Sequence, residues 1–258
     1  KFKLNNLRIL KQFNGCCFAD LDLKQQGVIE DFQLLFYIIQ PPTPERVKYD
    51  IFDRVNRGGT PLNKQEMRNA LYRGRCTRML DKLCCSPEFL IATGRSINKE
   101  RMKDQYVVLR AMAFLMLHRG EFKDIPALQY RGDIDDFLAR FMVYVNDNAP
   151  EKLIVDYENL FIRCMQISYD LLGENGFRFS GNGIRRPINM PLFEALSYLF
   201  SFVPEKIDYT WASRLILDIE SVKEEFDDSR YFSGNIDSTT SVSFRFDRMD
   251  KIINRIQL

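Results

Sequence analysis

The amino-acid sequence predicts a mainly α protein, in which a partial α/β core precedes a helical domain. Beyond residue 75, apolar residues recur at helical spacing through long segments that short polar connections join. One unbroken apolar run, QLLFYIIQ at 33–40, has the length of a buried strand and ends at two prolines. The composition, 45% hydrophobic and 28% charged, is typical of a globular protein. We therefore place the partial core at 1–74 and the helical domain at 75–258.

Two short helices are predicted before the strand. Leucine and isoleucine residues at 4–13 have amphipathic helical spacing, and the following Asn14-Gly15 pair turns the chain. Residues 20–31 predict a second helix, for which Asp20 is the expected N-cap.

The stretch IFDRVNRGGTPLNKQEMRNALY at 51–72 predicts a helix, a glycine turn and a second helix. Gly58 and Gly59 end the first helix, because glycine permits positive φ and weakens a helix. Asn63, with Glu66 three residues later, forms a capping box that starts the second. Free N–H groups at this helix end, with arginines nearby, favour an anion site. The alternative is a plain corner with solvated arginines.

The helical domain is predicted from periodic segments between polar loops. Long helices with short joints favour a helical domain packed on the partial core. The predicted helices are 75–84, 98–118, 134–146, 150–172, 190–202, 211–226 and 244–257.

Three charged residues, Arg101, Asp104 and Arg110, fall on one predicted helix. Arg101 and Asp104 are three residues apart and should share a face. An arginine within the apolar run 106–117 is costly unless it is paired. Two interpretations remain open: a buried ion pair that ties the helical domain to the core, or a second anion-facing cluster near Arg54.

Few residues indicate metal or acid–base chemistry. The one histidine, His118, is expected at a helix end, where its positive charge would suit the helix dipole. Adjacent helical residues point about 100° apart, so we assign Asp135 and Asp136 to a helix start and to solvent. The six cysteines show no CxxC spacing, which favours free thiols over a zinc site. No GxxxxGK[ST] phosphate loop occurs.

The net charge of +2 gives no global field that would attract nucleic acid. The stretch from Arg54 to Arg78 nevertheless contains seven Lys and Arg residues against one acidic residue, Glu66. This stretch is either a basic face for phosphates or an ordinary solvated surface. No apolar run approaches the ~18 residues of a membrane span, and we expect a cytoplasmic protein.

The 52–70 stretch resembles a motif of the ParB/sulfiredoxin-like family. The N-terminal domain of GmrSD-type modification-dependent restriction enzymes belongs to that family. The matching positions are Phe52, Arg54, Asn56, Gly58, Gly59, Pro61, Leu62, Gln65, Glu66, Arg68, Asn69 and Ala70. Further segments at 1–21, 101–114 and 177–196 are similar to elements of the same family. The resemblance therefore extends over nearly the whole chain.

This resemblance implies a nucleotide-binding, NTPase-type protein of prokaryotic anti-phage defence or modification-dependent restriction. It also implies a nucleoside triphosphate with Mg²⁺ as the ligand and DNA as a partner. The implied phosphate-binding residues are Arg54, Asn56, Arg57, Gly58, Gly59, Arg68 and Asn69. The residues expected to support that site are Glu66, Arg101, Asp104 and Arg110. No residue is assigned a catalytic role.

One family motif, Asp-Gly-Gln-Gln-Arg, does not occur in this sequence. We expect an N-terminal segment or a second chain to supply an Asp-Gly-x-x-Arg element, and we do not expect hydrolysis by this chain alone. Two alternatives use the same residues differently. The chain could be a non-catalytic DNA-binding or scaffold module, or its helices could serve only as a platform for a partner.

Overall fold

The structure is a computed structural model and is mainly helical, as the sequence predicts. It describes residues 2–36, 38, 40, 47, 51, 54, 61–179, 185–204, 206, 208–227, 229, 232 and 234–256. Contacts divide the chain into two compact units, Lys1–Ile51 and Phe52–Leu258. The division falls between residues 51 and 52, and the predicted domain boundary after residue 74 stays a prediction.

The first unit contains one α-helix with given bounds, α1 (Leu23–Glu30), and 3-10 turns at Lys11–Phe13 and Phe18–Asp20. The predicted helix at 4–13 is wrong. The backbone N–H of Leu4 instead donates to the carbonyl of Cys16 at 2.9 Å, and that of Gly15 to the carbonyl of Leu4 at 2.7 Å. The segment therefore closes a loop on itself in place of an amphipathic helix.

The predicted helix at 20–31 is confirmed as α1, with a different cap. Asp22 accepts a hydrogen bond from the N–H of Gln25 at 2.8 Å and so begins the helix. Asp20 accepts from the N–H of Cys17 at 2.7 Å and closes the preceding 3-10 turn. Both aspartates are good capping residues, which is why the sequence did not distinguish them.

The predicted buried strand at 33–40 is wrong for the residues that the structure describes there. Residues 33–36, 38 and 40 are neither strand nor helix, and Leu34, Leu35 and Phe36 are 66%, 79% and 75% exposed. Residues 37 and 39 lie outside the described part. A strand is stabilised by hydrogen bonds to a neighbouring strand, and the described residues contain none. The apolar run alone therefore cannot form the predicted α/β core.

The second unit contains helices at nearly all the positions that the periodicity predicts. Their bounds are α2 (Lys64–Leu71), α3 (Arg75–Cys84), α4 (Pro87–Ala92), α5 (Lys103–His118), α6 (Ile134–Asp147), α7 (Glu151–Leu172), α8 (Met190–Phe200), α9 (Tyr209–Asp227) and α10 (Thr239–Ile256). None of these described helices is both long enough and apolar enough to cross a bilayer.

The core of this unit lies around α5 and α8, which pack against each other. Almost every side chain of α8 is buried, as expected for a segment that is apolar on all sides. Its Phe193 contacts the rings of Phe89, Phe161 and Phe177, with centroids 6.2, 6.3 and 4.3 Å away. Each such buried ring contributes roughly 1.5–3 kcal/mol. This cluster fixes the position of α4, from which Phe89 comes.

His118 is the last residue of α5, so its predicted helix-end position is confirmed, but its predicted charge is wrong. The imidazole stacks on Phe246 of α10 with ring centroids 3.5 Å apart. Burial, followed by the nearby Arg245 charge, lowers the pKa of His118 to about 3. The ring is therefore neutral at physiological pH and acts as a packing residue.

Candidate functional site

The site begins at the N-terminus of α2, where the predicted capping box is confirmed. The Oδ1 of Asn63 accepts from the N–H groups of Gln65 and Glu66 at 2.8 and 2.9 Å. The Oε2 of Glu66 accepts in return from the N–H of Asn63 at 2.6 Å. These N–H groups are thus already bonded within the chain, and they are not the free donors on which the predicted anion site relied.

The segment before α5 crosses this capped end. The carbonyl of Arg101 accepts from the side-chain amide of Asn63 at 2.7 Å. The guanidinium of Arg101 donates to Glu66 at 3.0 Å and to the carbonyl of Pro61 at 2.5 Å. Arg101 and Met102 both have left-handed backbones, with φ of 56° and 59°. Such residues cost of order 1–3 kcal/mol each and persist where contacts hold them, often at functional sites.

The predicted pairing of Arg101 with Asp104 on one helix face is wrong. Helix α5 begins only at Lys103, and Arg101 precedes it with a left-handed backbone, so the face-sharing of helical residues does not apply to this pair. Its carboxylate partner is Glu66, whose pKa is lowered first by the hydrogen bond from Arg101 and then by the N–H of Asn63. Asp104 is itself buried, with only 7% of its surface exposed.

Arg68 projects from α2 into the interior and is fully buried. Its Nε donates to Gln65 at 3.1 Å, and its Nη1 donates to Asp135 of α6 at 2.9 Å. The guanidinium also lies over the ring of Tyr106, 5.4 Å from the centroid. Its remaining nitrogen, Nη2, has no hydrogen-bond partner in the described part of the chain. A buried unpaired donor of this kind is costly.

Asp135 joins α6 to α2 by accepting hydrogen bonds from both Arg68 and Lys64. Burial acts to raise the pKa of Asp135, but these two hydrogen bonds outweigh it and lower the pKa below its ordinary value. The expectation that Asp135 and Asp136 both face solvent is therefore wrong for Asp135. Asp136 does lie at the surface, paired with Arg140 one turn later at 2.8 Å.

These side chains line a cleft of about 540 Å³ in the second unit. Four of the lining residues are cationic, against two carboxylates. The lining consists of Asn63, Lys64, Gln65, Arg68, Asn98, Glu100, Arg101, Lys103, Tyr106 and Asp135. Lys103 is exposed and forms no ion pair with any described carboxylate. The cleft thus combines a buried arginine with two exposed lysines, Lys64 and Lys103, an arrangement suited to phosphate.

Asn69, predicted to bind phosphate, lies outside this lining. Its side chain accepts from Gln65 at 2.8 Å and donates to Gln105 of α5, which in turn donates to Asp81 at 2.7 Å. This chain of amides joins α2, α5 and α3. Asn69 therefore positions α2, and it does not face the cleft.

Arg110 lies deep between α5 and α8, consistent with the interpretation as a buried ion pair. It donates to Glu194 of α8 and, at 2.6 Å, to Asp237 in the loop before α10. Burial opposes the charge of Arg110 most strongly, but the attraction of Glu194 and the hydrogen bond to Asp237 together outweigh it and raise the pKa of Arg110 well above the ordinary value. Its Nη1 also donates to the hydroxyl of Tyr106 at 3.0 Å. Arg110 supports the site through Tyr106, and it ties α5 to α8 and to the loop before α10.

The glycine turn lies almost entirely outside the described residues. Asn56, Arg57, Gly58 and Gly59 are among the residues that the structure does not describe, and Arg54 is an exposed helical residue. Of the three predicted phosphate-binding residues that the structure describes, Arg54, Arg68 and Asn69, only Arg68 lines the cleft. Sequence reasoning missed Lys64, Lys103 and Tyr106, although Lys64 precedes Arg68 by one helical turn.

Comparisons of the chain with protein-family models, with curated proteins and with solved structures found no match. Within the described ranges, no group of three His, Cys, Asp or Glu side chains is arranged to hold a metal ion. The chemistry of the cleft must therefore be argued from its own residues.

Proposed function

We propose that the cleft at the head of α2 binds the phosphate groups of a nucleotide. The observation that carries this proposal is Arg68, whose fully buried guanidinium lines the cleft with Nη2 unpaired among the described residues. A phosphate oxygen would accept from Nη2 and remove the cost of the unpaired donor. No described protein group meets that need.

The opening of the cleft supports the same ligand class. Lys103 is exposed, and Arg101 is 53% exposed in its side chain and held by Glu66 at 3.0 Å. Both can contact the outer phosphates while Arg68 holds the inner one. Charge-assisted hydrogen bonds contribute roughly 1.5–3 kcal/mol each, so two or three of them give a useful affinity.

The wider function proposed here rests on the sequence resemblance. We infer an NTPase-type protein of the ParB/sulfiredoxin-like, GmrSD-related kind, acting in anti-phage defence or modification-dependent restriction, with DNA as a partner in the cytoplasm. An Asp-Gly-x-x-Arg element from another segment or chain would complete the catalytic centre. The described residues therefore account for binding, and no hydrolytic step is assigned to them.

Mg²⁺, which the resemblance also implies, does not fit the described carboxylates of the cleft. Mg²⁺ sites usually combine one or two carboxylates with the phosphate oxygens. Asp135 is held by Lys64 and Arg68, and Glu100 is bonded to Asn98 at 2.9 Å. Asp135 is thus already neutralised by two cations, Glu100 is the other carboxylate of the lining, and no step through a metal follows.

The DNA-binding alternative has less support from the described surface. In the basic stretch, Arg75 pairs with Glu151 of α7 at 2.8 Å. Lys82, on the same helix, pairs with Glu158 of α7. These ion pairs reduce the positive potential that DNA would need, whereas the cleft keeps exposed cations. A small phosphate ligand is therefore favoured over a DNA backbone.

Calorimetric titration of the chain with nucleoside triphosphates and with short duplex DNA tests the proposal. Lys103→Ala should weaken nucleotide binding about tenfold, the effect of losing one charged contact. Lys152→Ala, an exposed lysine of α7 outside the cleft, is the matched control and should bind normally. The variant Arg54→Ala, measured in the same titration, tests whether the glycine turn contributes to phosphate binding as the sequence predicts.

Equal nucleotide binding by wild type and Lys103→Ala would argue against the cleft. Binding of DNA alone, with an affinity that falls steeply as salt rises, would favour the alternative instead.

A further inference from the structure

A second cavity, of about 340 Å³, adjoins the phosphate cleft. Asn98 lines both, and the consecutive residues Lys103 and Asp104 line one each. Because Asn98 is common to both linings, the two cavities lie next to each other beside this residue, near the start of α5. The second cavity is lined by Phe89, Leu90, Thr93, Arg95, Ile97, Asn98, Lys99 and Asp104.

Asp104 is the unusual member of this lining. It is 7% exposed, yet none of the described basic side chains forms a salt bridge with it. Its Oδ1 accepts from the N–H of Gln105 at 2.8 Å, and no described group donates to Oδ2. A buried carboxylate with unused acceptor sites is suited to bind N–H donors of a ligand.

The surroundings of Asp104 favour a flat, neutral ligand over a cationic one. Phe89 and Ile97 provide apolar surface for the faces of a ring. Arg95 and Lys99 are exposed members of the same lining, and both would repel an ammonium group. The same two cations would attract a carbonyl oxygen. The cavity therefore fits a ring that has neighbouring N–H donors beside a carbonyl.

Guanine has this pattern, with N1–H and an exocyclic amino group next to the carbonyl at position 6. Adenine and cytosine place a ring-nitrogen lone pair beside their amino group, and that lone pair would face the carboxylate. Uracil flanks its single N–H with two carbonyls, which would also be repelled. Of the four bases, guanine alone offers two adjacent donors to Asp104.

We propose that the Asp104 cavity holds the guanine base of a nucleotide whose phosphates lie in the adjoining cleft. This proposal rests on the proposed function, and it adds the base and the residue that selects it. Asp104 accepts the two N–H donors, and Asn98 separates the base from the phosphates. The hydroxyl of Thr93 already donates to the carbonyl of Phe89 at 2.7 Å, so it has no hydrogen left to donate to the base.

Titrations with four nucleotides test the base pocket on the unmodified chain. GTP should bind most tightly. ITP should bind about tenfold more weakly than GTP, because it lacks the amino group, and ATP should bind more weakly than GTP by about 100-fold or more. Lys103→Ala should weaken GTP and ITP by the same factor, since it contacts only phosphate. XTP, which has a carbonyl in place of the amino group, should bind about as weakly as ATP.

Asp104→Asn gives the sharper result, because an amide nitrogen donates where a carboxylate can only accept. This variant should lose about tenfold or more in GTP affinity and gain in XTP affinity, so that XTP binds better than GTP. The matched control, Asp136→Asn at the surface of α6, should keep the wild-type order.

The outcomes separate the two proposals. Equal binding of GTP, ITP and ATP by the wild-type chain would overturn the base pocket and leave phosphate binding intact. Absence of binding by every nucleotide would overturn both. If Asp104→Asn does not fold, the ratio of GTP to ITP affinity on the wild-type chain decides alone.

Discussion

Two buried arginines, Arg68 and Arg110, lie in different surroundings. Every nitrogen of Arg110 has a partner, from Glu194, Asp237 or Tyr106. Arg68 has one nitrogen without a partner among the described residues and lies beside a cleft. Burial of arginine is costly in both places. The complete set of partners indicates a structural role for Arg110, and the incomplete set next to open volume is the basis for the binding role proposed for Arg68.

A third buried arginine shows why both conditions are needed. Arg245 of α10 donates to Glu194 at 3.1 Å, and its Nε has no partner among the described residues. It lines neither of the two cavities described above. An unpaired nitrogen alone therefore does not mark a site, and the comparison between Arg68 and Arg110 depends on the adjoining space.

The largest effect is expected from Arg110→Met, which leaves Glu194 and Asp237 without their shared cation. We expect a loss of about 3 kcal/mol in the free energy of unfolding, because Asp237 loses its cation and the buried Glu194 keeps only Arg245. Urea denaturation measures this. The control Arg140→Met removes the surface partner of Asp136 and should cost about 1 kcal/mol or less. Similar losses in both variants would contradict the structural role of Arg110.

A smaller loss of stability is expected at acidic pH from His118, which is buried near Arg245. Its folded pKa of about 3 lies below its ordinary value of 6.5. The unfolded chain therefore binds the proton first, and stability falls as the pH drops from about 6.5 towards 3. Between pH 7 and pH 5 the loss from this residue is about 2 kcal/mol.

Urea denaturation of wild type and His118→Gln at both pH values measures this contribution. The variant should be less stable at pH 7, where packing on Phe246 is lost. Its stability should also change less between the two pH values. Parallel pH dependences would show that His118 is not buried in its neutral form.

The smallest change in stability, about 1 kcal/mol, is expected from Arg68→Met. Asp135 remains paired with Lys64 and is 30% exposed, so little charge is left unsolvated. Nucleotide affinity should nevertheless fall about tenfold or more, because the inner phosphate loses its donor. Denaturation and calorimetry on the same sample separate the two effects. A large loss of stability with unchanged nucleotide affinity would show that Arg68, like Arg110, has a structural role and does not bind the ligand.

Much of the helical unit could be predicted from sequence because its signals are local. Periodic apolar residues place the helices after residue 75, and the Asn63 and Glu66 capping box begins α2 as expected. The strand at 33–40 failed because pairing, and not the apolar run itself, makes a strand. Arg101 was assigned to a helix that starts two residues later, since a left-handed backbone at a non-glycine residue has no clear sequence signal.

The site itself could be predicted only in part. The resemblance and the local charge identified Arg68, but its partner Asp135 lies 67 residues away on α6. Pairing over that distance follows from how α2, α5 and α6 pack, and one sequence does not contain that information. The cavity at Asp104 likewise depends on Phe89 of α4 meeting the start of α5.

The negative charge of Asp135 affects which anions can bind in the cleft. Its carboxylate is an internal counter-ion that already occupies Lys64 and Arg68. An anion that contacts the Nη2 of Arg68 therefore shares the guanidinium with this carboxylate and meets only part of its positive charge. A monovalent ion such as chloride or acetate gains less from the remaining charge than a phosphate monoester does, because the monoester carries about −1.5 to −2 charge at neutral pH. If the cleft binds phosphate as proposed, we expect chloride and acetate to compete with it only weakly.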